Sequence, residues 1–292
     1  MKLKLLPLAL IALTLNTANA QSVFDFASTG QQKLLINPAL CASEGFHVQT
    51  LGAYEPVGAA KIFANYTGVS FSAKNFAFGI SNTLGTTKVN YSPYSESYKW
   101  LTNETSLSFA YKVNITSRIT LVPSVQGSFY TYHNNITGSY SYSYTSSGFN
   151  VSPGVLVDIN KMLTFGVALY NAGSDNMLAQ TQVYHASLLL FKEKTINFQP
   201  YVVFKRTTTT NNYDHNQFEA GAFTSYRFVS LQTAFRADSY NRLTLGLNFN
   251  FSFFKFGYTF SDAFNYSKQH ELYVAISPFK NAKNAQRPLL LN

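Results

Sequence analysis

The stretch from Leu243 to Phe260 limits the fold more than any other part of the chain. Apolar residues stand at Leu243, Leu245, Leu247, Phe249, Phe251 and Phe253, with Thr244, Gly246, Asn248, Asn250 and Ser252 between them. The phase then slips by one residue. Phe254, Phe256, Tyr258 and Phe260 alternate with Lys255, Gly257, Thr259 and Ser261. Side chains along a β-strand point to opposite faces with a period of two, so each half is a strand with one apolar face. The slip marks a tight turn between them. A soluble sandwich would bury that face under a second sheet, and a transmembrane barrel would show it to lipid.

Composition favours lipid. The chain carries 26 Phe and 20 Tyr, and only 12% of its residues are charged, against about 25% in an ordinary soluble domain. Mean hydropathy is −0.05, as expected when lipid-facing and interior-facing residues alternate. No segment after the first residues approaches the ~20 consecutive apolar residues of a helical span. Met1 to Ala20 reads as a cleavable secretory leader: Lys2 and Lys4, an apolar run from Leu5 to Leu15, then Ala18-Asn19-Ala20. The mature chain would begin at Gln21. Removing Lys2 and Lys4 lowers the net charge from +9 to +7. The remaining basic residues are scattered, which argues against nucleic acid as a partner and for anionic lipid or an acidic protein surface. The single cysteine, Cys41, is read as a small packed residue.

In order, a segment over 21–45 leads into the barrel, the barrel occupies 46–279, and a basic tail covers 280–292. Asn37-Pro38 marks a turn or strand start within the leading segment. Candidate strands run from Phe46–Tyr54 to Glu271–Pro278, about fourteen in all. Thr86–Leu101, Tyr132–Gly148, Thr207–Asn216 and Ala263–Gln269 read as polar surface loops. The alternating Ser139–Ser147 run could form a strand projecting beyond the membrane. Lys61, Lys74, Lys112, Lys205, Arg206, Arg227, Arg236 and Arg242 are expected in the lumen or at the rims, pairing with carboxylates such as Glu219 or Asp238.

Two stretches resemble the PorP/SprF family of outer-membrane proteins, from the type IX secretion and gliding machinery of Bacteroidetes. Ile36-Asn37-Pro38-Ala39-Leu40-Cys41-Ala42-Ser43 is similar to that family's I-N-P-A-Y-A-G segment, with Leu40-Cys41 in place of tyrosine-alanine. Phe256-Gly257-Tyr258-Thr259-Phe260-Ser261, followed by His270-Glu271-Leu272, resembles its closing strands. The resemblance implies a barrel of about fourteen strands without enzymatic activity or cofactor. It also implies that Asn37, Pro38, Ala39, Gly257, Tyr258, His270 and Glu271 serve structure or partner contact. The implied partners are outer-membrane lipid, a secreted or adhesin-like surface protein, and periplasmic secretion machinery.

Catalytic and metal motifs are sparse. His270-Glu271 lacks the second histidine of a zinc-protease helix, since position 274 is Val. No Gly-rich phosphate loop and no G-x-S-x-G elbow occurs. The residues therefore lead to an all-β chain forming one antiparallel transmembrane barrel that serves protein export, docking or anchoring. A passive diffusion porin is the alternative, and a membrane hydrolase built from a Ser and a His meeting at one rim is the third reading.

Overall fold

The computed structural model describes residues 19–20, 26, 33–43, 45–91, 96–137, 141–172, 178–191, 196–208, 214–238, 241–264 and 266–277. The basic tail and most of the expected leader lie outside the described residues; Asn19–Ala20 pair with Leu178–Ala179. The wall consists of β1 (Phe46–Val57), β2 (Ala60–Ala73), β3 (Phe76–Tyr91), β4 (Glu96–Tyr111) and β5 (Ile119–Thr137). It continues through β6 (Tyr142–Ile159), β7 (Leu163–Tyr170), β8 (Leu178–Leu188), β9 (Ile196–Thr208) and β10 (Asp214–Tyr226). The last strands are β11 (Val229–Ala237), β12 (Arg242–Asn250), β13 (Phe254–Ala263) and β14 (Ser267–Ile276).

Each strand pairs antiparallel with the next, and β14 pairs with β1 from His270↔Tyr54 to Ile276↔Val48. The result is a closed 14-stranded barrel. Followed once around the wall, the register climbs by about one residue per strand. Eight-stranded barrels with the same ratio of shear to strand number tilt their strands by about 36°. Closure removes every sheet edge, which is what a chain without water at its backbone requires.

The period-two pattern sorts the side chains as the sequence implies. On β12, Leu243, Leu245 and Leu247 point outward and Thr244 and Asn248 inward. The outer face is Phe, Leu and Val over most of the circumference, with Leu107 64% and Leu272 66% exposed. An apolar surface of that extent is stable only against lipid, so the molecule is a transmembrane barrel of the outer-membrane type. The slip after Phe253 is a turn in which Phe251 N–H donates to Phe254 O (2.8 Å); Phe251 and Phe253 belong to that turn rather than to β12.

Three expectations change. Ala263–Gln269 is a tight turn instead of a loop, with β13 running to Ala263, β14 starting at Ser267 and those two residues paired. Thr86–Leu101 and Tyr132–Gly148 are not long loops: β3 and β4 continue to Tyr91 and from Glu96, and β5 and β6 to Thr137 and from Tyr142. Their many Ser, Thr and Asn residues hide the strand signal, because the alternate places hold Tyr and Trp beside Thr, Asn and Ser instead of an unbroken Leu, Val or Phe row. Tight turns at Lys74–Asn75 and Asn160–Lys161, where Lys74, Asn160 and Lys161 take positive φ, lie at the opposite end. Short turns characterise the periplasmic end of such barrels, which puts the projecting strands outside the cell.

The charges follow the sequence reading. Lys61 is exposed beside the β1–β2 turn, and Arg236 is buried against Glu219 inside the lumen (2.8 Å). Arg242 pairs with Glu55 (2.9 Å). Because the mid-height outer wall is apolar, Leu245→Arg is expected to destabilise the barrel by about 2–4 kcal/mol, measured by urea unfolding in lipid bilayers. A neutral outcome would mean that this face does not meet hydrocarbon.

Candidate functional site

The segment before β1 folds into the barrel. Lys33–Ile36 forms one helical turn and Pro38–Ser43 a 3₁₀ helix. Leu34, Ile36, Ala39, Leu40, Cys41 and Ala42 join wall residues Ala77, Ala110, Val122, Leu156, Ala168 and Val183 in one apolar cluster. A turn expected from sequence is therefore the centre of a lumen plug.

Asn37 holds the plug to the wall and is 0% exposed. Its Oδ1 accepts the Ala39 N–H (2.9 Å), while Leu40 N–H donates to its carbonyl (3.0 Å). This Asx-type turn starts the 3₁₀ helix. Pro38, with φ already suited to a helix start, occupies the first position. The Asn37 Nδ2 donates to Val155 O (3.0 Å) on β6 and Val167 O (3.2 Å) on β7, and lies 3.2 Å from His185 Nε2 on β8. One amide thus joins the plug to three strands.

The wall is shaped for this contact. A Cβ at Gly154 would stand 2.5 Å from Asn37 Oδ1, and one at Gly166 would stand 2.7 Å from Asn37 Nδ2 and collide with His185. On the other side, a Cβ at Gly79 would lie 3.1 Å from Leu34 Cδ1 and 3.2 Å from Cys41 Cβ. Glycine inside a strand often marks such a close approach. Tyr170 Oη donates to Leu34 O (2.7 Å), and Arg236 Nη2 donates to Phe26 O (2.9 Å), so the segment is tied at further points along its length. The Arg236 carboxylate partner, Glu219, also accepts from Tyr201 Oη (2.8 Å), which in turn accepts from Gln232 (3.2 Å).

The residues singled out from sequence fall into separate places. Asn37, Pro38 and Ala39 are in the plug. Gly257 and Glu271 face the lumen on β13 and β14; a side chain at Gly257 would run into Asn248, and Glu271 accepts from Gln269 Nε2 (2.9 Å). Tyr258 and His270 are on the lipid face, with Tyr258 Oη 2.6 Å from His270 Nδ1. They border an outer groove of about 450 Å³ over Gly52, also lined by Tyr54, Phe63, Asn65 and Leu272. The structure does not join the two motifs into one site. His185, Gly154 and Gly166 complete the Asn37 contact and were not singled out. The glycines, each between outward-facing apolar residues, carried the only available signal.

A Ser and a His do meet at the periplasmic end: His47 Nδ1 lies 2.8 Å from Ser277 Oγ, and its Nε2 3.1 Å from Gln49 Oε1. Both residues are buried in the lumen wall. Burial keeps a substrate carbonyl from the Ser277 hydroxyl, so the contact satisfies interior polar atoms rather than forming an accessible nucleophile. No group of three or more metal-ligating side chains occurs among the described residues.

No family model and no curated protein matches the chain. Solved structures with a similar fold include the Ralstonia pickettii toluene transporter TbuX, 12% identical with a TM-score of 0.54 over 89% of this chain and 94% of that one. The monoaromatic hydrocarbon channel CymD is 10% identical, with a TM-score of 0.54 over 92% and 99%. The Pseudomonas putida toluene transporter TodX is 10% identical, with a TM-score of 0.54 over 88% and 94%. At these identities the likeness concerns the fold.

Cys41 is the chain's only cysteine and is 0% exposed. Burial pushes its thiol up to about 12, so raising the pH from 7 to 9 leaves it protonated, whereas an exposed cysteine would ionise. The native barrel is therefore expected to resist maleimide labelling across that range. Asn37→Ala leaves buried carbonyls without their donor, a loss of about 1–3 kcal/mol. Labelling of Cys41 should then accelerate, and an unchanged rate would mean that Asn37 does not hold the plug.

Proposed function

We propose that this barrel is an outer-membrane partner of a secreted or adhesin-like surface protein, related to the PorP/SprF group of type IX secretion, and helps that protein to be exported, docked or anchored. The plugged lumen carries this reading. The chain's own N-terminal segment occupies the bore, anchored through Asn37 to three strands. That leaves the rims for work: the projecting strands β3 to β6 outside, and the turn-bearing end toward periplasmic secretion machinery. The residues around Asn37 are the ones that resemble that family's N-terminal segment, and here they are plug residues.

A channel for small apolar molecules is the second reading, favoured by the fold likeness to the toluene transporters and the hydrocarbon channel. Against it, the lumen wall includes Gln126, Gln199, Gln232, Gln269 and Glu271, all fully buried. These polar groups offer an apolar solute little along the described interior.

Deleting the gene separates the readings. Loss of one or a few large proteins from the cell surface, with small-solute uptake unchanged, is the expected outcome. Slowed uptake of small solutes with an intact surface would make the protein a channel and overturn the secretion reading.

A further inference from the structure

Strands β3, β4, β5 and β6 run for 16, 16, 19 and 18 residues, whereas β7, β11 and β12 run for 8, 9 and 9. Their surplus stands above the apolar band as a four-stranded sheet with water available to both faces. Lower on the same strands Ser106, Tyr130 and Asn150 are buried in the lumen, and the unbroken register carries that orientation upward. Tyr98, Trp100, Tyr132, Asn134, Tyr142 and Tyr144 therefore share the inner face. Trp100 pairs with Asn134 and Asn134 with Tyr144; Tyr98 pairs with Ile136 and Ile136 with Tyr142.

The two faces differ in chemistry. The outer one carries the paired, exposed Lys88 and Lys99 and the contact between His133 Nδ1 and Thr145 Oγ1 (2.8 Å), as a solvated sheet would. The inner one is aromatic and free of Lys and Arg; its carboxylates are Glu104, lower down beside Tyr130, and Glu96 at the start of β4. An interfacial membrane belt does not explain it, because such belts face lipid. Nor does core packing, since Tyr142 is 56% exposed and Tyr144 36%. Tyr98 and Trp100 lie with ring centroids 6.1 Å apart and planes at 22°. Below them, a Cβ at Gly148 would stand 2.6 Å from Tyr130 Cζ, so the glycine lets that ring lie across the wall.

We propose that this inner face is a binding site for a neutral oligosaccharide. A pyranose offers C–H faces that pack on aromatic rings and hydroxyl edges that need neutral donors and acceptors. Here Thr87, Thr102, Asn134 and Ser146 stand in the same cross-strand rows as the rings. A phosphorylated or acidic ligand would call for Arg or Lys, and the lysines are on the opposite face. Tyr, Trp, Ser and Asn also make protein-binding surfaces. A protein surface, however, brings charges of both signs, about 25% of an ordinary composition, and the paired rows of this face carry no Lys or Arg, with carboxylates only at Glu96 and Glu104. The site is independent of the secretion reading.

Trp100 is the only tryptophan in the chain, so intrinsic tryptophan emission reports on this face alone. The purified mature protein in detergent would be titrated with maltohexaose, cellohexaose and laminarihexaose, with calorimetry in parallel. We expect a saturable change in Trp100 emission with at least one of them. Tyr144→Ala should weaken that binding about tenfold, the size of one lost aromatic contact, with strand content by circular dichroism unchanged. Lys99→Ala, on the outer face, should leave it as it is. No saturable change with any of the three sugars would overturn the proposal. So would equal weakening by Lys99→Ala, or a response to an uncharged Ser/Tyr-rich peptide without one to sugar.

Discussion

A peptide bond in hydrocarbon has no water to pair with, and this requirement governs the whole molecule. Antiparallel pairing satisfies it along each strand, but the first and last strands would still be edges. The β14–β1 ladder removes them. Once strand number and register are set, so are tilt and bore. Such a bore can stand open or be filled, and here inward side chains and the segment before β1 fill it.

The filling is of two kinds. Around β9, β10 and β11 it is polar, with Tyr201, Glu219, Gln232 and Arg236 satisfying one another. Where the plug meets the wall it is apolar, made against small residues such as Ala77, Ala110 and Ala168, while Ser106, Gln126 and Asn150 on the strands it meets stay polar. Asn37 mediates between them: a polar side chain inside an apolar cluster, stable because its amide reaches backbone carbonyls and its oxygen closes a turn. The wall accepts it only where Gly154 and Gly166 leave space.

Much of the wall was legible in the sequence because lipid enforces alternation. Leu243 to Leu247 and Phe254 to Phe260 need an apolar residue at every second place, and the strands there could be read directly. Where the strands leave the membrane that demand ends, and Thr86–Leu101 and Tyr132–Gly148 look like loops although their backbones remain paired. The plug was legible only as the turn at Asn37-Pro38. Its helical pieces, four and six residues long, are too short to show a helical period. Nothing local to Asn37 points to His185, which is 148 residues away. The Tyr258–His270 pair and the Asn37 turn both lie in stretches that carry the family resemblance, yet they face lipid and lumen respectively.

The position of the plug in the chain bears on how the molecule assembles. Residues 33–43 precede every wall strand, yet their partners lie on β6, β7 and β8, which emerge much later. The final seam joins the first strand to the last. That seam is held by hydrogen bonds alone, and the barrel keeps an open mouth at the end where β1 starts, so the plug has two routes in: onto the open sheet or through that mouth. By either route it must wait for β6, β7 and β8, and contacts so distant in sequence form slowly. An early stretch of chain thus takes its place only after most of the wall that holds it has been made.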